Sequence, residues 1–219
     1  GRAPDALADP GLILVDVATG TSRVLTPARP APRDAISWSR AGLITPSGTQ
    51  VLTSLCALEG CENSLVDVAD GSTVRSLPGT TPPWIAVEGY TVTYDGTTTM
   101  GIDLATGKAV WTRTGGSIEG YPLGGTQIVS LWIVETDDRT YSLEIVDAAT
   151  GRSRVISQWL ASERWSLWPE LSTATRAVLG RDGPLRGAWW DGQTPEAAVV
   201  DLATGAFDDR AVRLGPMPP

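Results

Sequence analysis

Apolar and polar residues alternate in short runs along this chain, and five of those runs end in the same way. Each passes from an apolar stretch through Asp and a few small residues to Gly, and then into a second apolar stretch. The copies are LILVDVATGTSRVL from Leu12, SLVDVADGSTVRSL from Ser64, GIDLATGKAVW from Gly101, EIVDAATGRSRVI from Glu144 and VVDLATGAFDDRAV from Val199. Alternation on both sides of a Gly-bearing turn is the pattern of a β-hairpin. The Asp can accept backbone hydrogen bonds as the chain leaves the first strand, and the Gly supplies the positive φ of the turn. Hairpins are therefore predicted at 12–26, 64–77, 101–114, 143–157 and 198–213.

The repeated residues Asp16, Asp67, Asp103, Asp147 and Asp201 follow one another at intervals of 51, 36, 44 and 54 residues. Such spacing brackets the roughly 40–50 residues of one four-stranded propeller blade. Further strand pairs fall between the hairpins. AISWS, a turn at Ala41-Gly42 and GTQVLTSLCAL precede the second hairpin, WIAVEG and YTVTYDG the third, TQIVSLWIVE the fourth and TATRAVLGRDG the fifth. QWLASERWSLWPEL has some helical character. The repeating unit is thus two strands, a third strand, the Asp turn and a fourth strand. The expected fold is all-β, a propeller of about five four-stranded antiparallel blades in one domain over residues 12–214. Residues 1–11 read as a tether and 215–219 as a tail. The first hairpin has no evident partner strands, so blade one is either two-stranded or completed by residues upstream of Gly1. An open blade would expose a strand edge to another chain.

Composition narrows the chemistry. The 219 residues carry 17 basic and 25 acidic side chains, a net charge of −8, which disfavours nucleic acid or an anionic membrane as partner. No run of about 18 apolar residues occurs, so no helical span of a bilayer is expected. Histidine is absent, which removes imidazole bases, Ser-His-Asp systems and His-ligated metal. Cys56 and Cys61 are the two cysteines. Their spacing fits a disulfide across a hairpin tip, and a disulfide implies an oxidising compartment.

YDGTTTMGIDLATGKAVWTRTGG resembles a quinoprotein-type propeller repeat, with Asp ending a strand, a T-G turn and a Trp in the next strand. TPSGTQVLTSLCALEGCENSLVDVADGSTVRSL resembles TolB-like and WD40-like bacterial repeats. The resemblance implies the propeller fold. It carries over no active-site residue and no quinone cofactor, and no metal site is expected. The strand-four Trp occurs only as Trp111, with Leu, Leu, Ile and Val in the comparable places of the other hairpins.

Nine Trp against one Phe is an unusual balance. In a propeller of this register the loops flanking the innermost strands share one rim. Trp38, Trp84, Tyr121, Trp165, Trp168, Trp189 and Trp190 would gather there as a partner or ligand surface, since large aromatic side chains dominate binding sites. Wedging of neighbouring blades is the competing role, chiefly for Trp38, Trp84 and Trp111. The acidic pairs Asp137-Asp138 and Asp208-Asp209 and the glutamates Glu119, Glu163 and Glu170 are the carboxylates open to glycosidic acid/base work. The five turn aspartates read as structural. The expected function is a non-catalytic, extracytoplasmic binding, sensor or scaffold module, without cofactor, recognising a protein or a small-molecule or carbohydrate ligand. Two alternatives stand beside it: a carboxylate-based glycosidase or lyase at the axial mouth, and an assembly module pairing through an open blade edge.

Overall fold

The computed structural model describes residues 8–9, 11–27, 29–30, 39–57, 60–83, 85–115, 119–134, 140–160, 165–168, 172–181 and 197–208. Their regular structure is entirely strand. A two-residue pairing joins β1 (Ala8–Asp9) to β4 (Arg29–Pro30), and β2 (Leu12–Val15) with β3 (Ser22–Thr26) forms a two-stranded hairpin. Four antiparallel meanders follow. They are β5 (Ser39–Ile44), β6 (Gln50–Ala57), β7 (Gly60–Asp67) and β8 (Thr73–Leu77), then β9 (Ile85–Val87), β10 (Tyr90–Tyr94), β11 (Thr98–Asp103) and β12 (Lys108–Thr114). The third is β13 (Glu119–Gly124), β14 (Gln127–Val134), β15 (Thr140–Asp147) and β16 (Ser153–Leu160), and the fourth β17 (Trp165–Leu167), β18 (Arg176–Arg181), β19 (Ala197–Asp201) and β20 (Phe207–Asp208). Each of the four sheets is ordered as in sequence, so the predicted unit of three strands, Asp turn and fourth strand recurs in all of them. The first hairpin supplies only the last two strands of such a unit.

The Asp turns share one geometry. The backbone N–H of Gly20, Gly71, Gly107, Gly151 and Gly205 donates to the carbonyl of Asp16, Asp67, Asp103, Asp147 and Asp201 at 2.7–3.0 Å. Each of these glycines has φ between 70° and 76°, where any side chain costs backbone strain. The carboxylates close the turns from outside: Asp16 Oδ1 accepts from the N–H of Ala18 and Thr19, Asp67 Oδ1 from Ala69, Asp103 Oδ1 from Thr106, and Asp201 Oδ1 from Ala203 and Thr204. Asp147 Oδ2 accepts the Thr126 hydroxyl.

The chain divides into two compact units, residues 1–113 with 148–150 and residues 114–147 with 151–219. In the first, Leu25 buries against Val51 and Val66, and Leu52, Leu65 and Leu77 bury against Ala86, Ile102 and Leu104. In the second, Tyr121, Val129, Leu131, Tyr141 and Leu143 of one sheet meet Leu167, Ala177, Leu179, Val200 and Leu202 of the next. Burying one such aliphatic side chain stabilises by roughly 1.5–3 kcal/mol. Within each unit the sheets therefore hold one another through stacked apolar faces.

Polar hooks reach from strands into the Asp turns. Arg23 donates from Nη1 to Ala69 O at 2.7 Å, and Arg75 from Nη1 to Thr106 O at 2.7 Å. Trp111 Nε1 donates to Ala148 O at 2.7 Å, and Arg154 Nη2 to Leu202 O at 3.3 Å. Each hook rises from the fourth strand of one sheet and caps a carbonyl in a following Asp turn. Register explains the equivalence: Arg23, Arg75 and Arg154 stand opposite Leu14, Leu65 and Ile145, always two residues before the turn Asp. In three hairpins an arginine thus makes a hook like that of Trp111, whereas in the fifth hairpin Asp208 stands opposite Val199.

Two further expectations are corrected. Ala41-Gly42 is no turn: β5 runs straight through it, and the chain reverses at Pro46–Gly48, where Gly48 has φ +72° and donates to Thr45 O at 2.8 Å. Gly42 serves packing, because a Cβ there would come within 3.1 Å of Leu12 Cδ1. Gln158–Leu160, expected to have helical character, extends β16, since Gln158, Trp159 and Leu160 pair with Ser142, Tyr141 and Thr140. Cross-strand pairing there overrides weak local helix propensity.

Candidate functional site

The sequence placed a binding surface on seven aromatic residues. Trp38, Trp84, Trp189 and Trp190 lie outside the described residues, and Trp165 is described only as backbone at the start of β17. The remaining two are core residues. Tyr121 is 7% exposed and Trp168 2% exposed. Tyr121, on β13, packs in the apolar core of the second unit, and its hydroxyl is placed to donate to Thr173 O at 3.1 Å or Arg176 O at 3.3 Å. Burial pushes its pKa up to about 12, against a smaller opposing effect of a Ser172 hydrogen bond. The hydroxyl therefore stays protonated and pins the turn before β18. Trp168 follows β17 directly and donates its backbone N–H to Val178 O at 2.8 Å. Ser172 Oγ donates to Trp168 O at 2.8 Å and accepts the Val178 N–H at 3.0 Å, so the chain is clamped on both sides of the ring. Neither side chain is available to a partner.

Cys56 and Cys61 are joined as expected, with an S–S distance of 2.02 Å and Cα atoms 4.0 Å apart. They face each other across the ladder at the ends of β6 and β7, one pair inside Ala57 and Gly60.

Among the carboxylates, Asp137, Asp138, Glu163, Glu170 and Asp209 lie outside the described residues. Glu119 is positioned by β13, and its Oε2 accepts the backbone N–H of Leu167 at 2.7 Å. The residue is exposed along its length while its carboxyl is tucked against β17. Burial of that group raises its pKa, and the Leu167 hydrogen bond opposes the rise only in part. Asp16, Asp70, Asp95 and Asp201 are held below the ordinary value, mainly by backbone N–H donors at Thr19, Ser72, Thr97 and Thr204. Glu144 is buried in β15 with Oε1 accepting from Ser142 Oγ at 2.9 Å. No three metal-ligating side chains converge among the described residues.

What sequence reading missed is an apolar surface on the first hairpin. Ile13, Val15 and Val24 are 60%, 55% and 64% exposed, and Val17, in the turn, is 97% exposed. Ile13 and Val24 are directly paired, and Val15 lies two residues along on the same face. The opposite face carries Leu12 and Leu25, packed on Val51 and Val66. In the sheets that follow, the face holding Val66 or Val200 lies on a preceding sheet. No such sheet covers Ile13 and Val15 among the described residues. The signal was legible in LILV, which is apolar at every position, as in a strand covered on both faces.

No family model matches the chain, and no curated protein matches it. Solved structures do. A mitotic checkpoint complex chain aligns with TM-score 0.58 at 14% identity, covering 94% of this chain and 60% of its own length. TolB from Acinetobacter baumannii aligns with TM-score 0.51 at 14% identity over 90% of this chain and 47% of TolB. The β-propeller domain of the trilobed protease from Pyrococcus furiosus aligns with TM-score 0.52 at 12% identity over 86% of this chain and 60% of that one. The chain thus spans about half to three-fifths of the structures it matches. At such identities the likeness speaks to architecture alone, and it agrees with the repeated four-stranded meanders: the fold is that of a β-propeller repeat protein.

Proposed function

We propose that this chain is a non-catalytic β-propeller module that binds a protein partner outside the cytoplasm. The observation carrying the reading is the bare apolar face of Ile13, Val15 and Val24, with the exposed Val17 in the adjoining turn. Exposed apolar groups gathered on one face, rather than scattered singly, mark interaction surfaces in soluble proteins. The Cys56–Cys61 disulfide supports an oxidising compartment. Trp38, Trp84, Trp165, Trp189 and Trp190 remain a second candidate surface, for the same partner or for a small ligand. The test places a photo-crosslinking residue at Val24, at Trp190 and, as control, at the exposed turn residue Ala105 in the native host. A discrete protein adduct at Val24 or Trp190 and none at Ala105 is expected. Folded protein giving no adduct at either position would overturn the reading.

A further inference from the structure

We propose that Cys56–Cys61 is an exchangeable disulfide, opened and re-formed within the folded protein by an external dithiol. The backbone N–H of Cys61 donates to Thr80 O at 2.9 Å, and Thr80 continues from β8, the neighbour of β7 on the side opposite β6. In an antiparallel ladder the N–H and C=O of one residue point the same way. The backbone groups of Cys61 therefore turn away from Cys56, and the two form a non-hydrogen-bonded pair. Side chains stand closest at such pairs, whose Cα atoms lie about 4.5 Å apart without a bridge. Here the Cα separation is 4.0 Å. That is shorter than the roughly 4.4–6.8 Å usual for disulfides, and a bond held outside that range is more easily reduced.

The surroundings let the bond open without unfolding. Both cysteines are only partly buried, four positions along the ladder from the buried pair Leu52 and Leu65. A thiolate can thus reach sulfur while the core stays closed. Strand pairing continues on both sides of the bridge, outward to Ala57 and Gly60 and inward to Gln50 and Asp67. On the other edge of β7, Asn63 Nδ2 donates to Gly79 O at 3.0 Å and to Thr81 O at 2.9 Å, while its Oδ1 accepts from Ser54 Oγ at 2.6 Å. These bonds keep the two sulfur positions opposite each other once the bridge is cut. The chain has no third cysteine, so scission cannot lead to a rearranged bridge.

In the exchange a thiolate of the dithiol attacks one Sγ, and the other Cys sulfur leaves as a thiolate, giving a mixed disulfide. The second sulfur of the dithiol, as thiolate, then displaces the protein sulfur. Two electrons and two protons pass to Cys56 and Cys61, and the dithiol ends as a cyclic disulfide. The test uses the intact oxidised protein with dithiothreitol, free thiols being trapped by a maleimide and counted by mass. Reduction should run at nearly the same rate in buffer and in about 1 M urea, whereas opening through global unfolding would speed it about fivefold or more. The reduced protein should keep amide protection at Thr53 and Ser64, and oxidised glutathione should close the bond again without denaturant. Equilibrated with reduced glutathione, about half the molecules or more should be open, where a structural disulfide resists that couple. A bond that stays closed in glutathione, or a rate that climbs with urea, would overturn the proposal. So would a reduced protein that loses protection at Thr53 and Ser64 or does not re-close.

Discussion

The indole of Trp168 lies so close to the backbone of Gly180 that no Cβ fits between them. Trp111 stands in the same relation to Gly101 on β11. In each case a large ring closes over the one residue type that leaves a strand without a side chain. Gly180→Ala should therefore force the ring off its site and destabilise the protein by about 1–3 kcal/mol, the usual range for overpacking. Trp168→Ala, which leaves a cavity, should cost about 3–5 kcal/mol. Urea midpoints of the two single variants and the double variant decide the matter. If the contact is what makes Gly180→Ala costly, the alanine should be nearly harmless once Trp168 is gone.

The hooks between sheets should be individually modest. Arg23 reaches Ala69 O across solvent-exposed surface, where water competes for both groups, so Arg23→Ala should cost about 1 kcal/mol, below the roughly 1.5–3 kcal/mol of bonds with a charged partner. Trp111→Phe keeps most of the ring and removes the N–H that reaches Ala148 O, so its cost should be about as small. Denaturant titration checks both. A loss beyond about 3 kcal/mol for either would mean that the hook orders a larger segment than one carbonyl.

The architecture was legible because its signal is local and repeated. Asp, the small turn residues and Gly sit within five positions of each other, and neither burial nor long-range pairing is needed to read them. The hooks were not legible in the same way. Arg75 follows Gly71 by four residues and Arg154 follows Gly151 by three, and only the ladder shows that both stand opposite the residue two before their Asp. The candidate site was read least well. Tyr121 and Trp168 looked like rim aromatics because they lie in or next to the first strand of a sheet. Whether such a ring turns outward or onto a glycine such as Gly180 depends on a residue 12 positions away in the chain. The apolar face of β2 was visible as LILV, but whether such a face is covered depends on a neighbouring sheet, which no residue in the strand encodes.

Acidification should destabilise the fold through its turns. Asp16, Asp70, Asp95 and Asp201 have native pKa values below their unfolded ones, so their contribution is present above the unfolded value and is lost as pH falls through the native values. Glu119 has the opposite sign: its raised native pKa gives stability that is present below the unfolded value and is lost as pH rises through the native one. Glu119→Gln keeps an acceptor for the Leu167 N–H without the buried charge. It should therefore raise the melting temperature at pH 7, with the gain shrinking as pH falls through the raised native value and gone below about pH 4. A gain that persists unchanged in acid would show that packing, not ionisation, sets the cost at Glu119.

Removal of the disulfide should weaken the fold without rearranging it. Cys56 and Cys61 are ladder partners, held opposite each other by the β6–β7 hydrogen bonds whether or not sulfur joins them. The loop that the bond closes is short, with a sequence separation of 5, so little chain entropy is removed from the unfolded state. The chain-entropy relation gives about 2 kcal/mol for a ring of that size. Cys56→Ala with Cys61→Ala should lower the urea midpoint accordingly, and the oxidised protein treated with reductant should match the double variant. Amides of Thr53 and Ser64, paired three residues inside the bridge, should keep their exchange protection relative to the global value. If their protection collapsed while the rest of the sheet held, the hairpin would depend on the sulfur bond for its register, and the ladder would not be sufficient to set it.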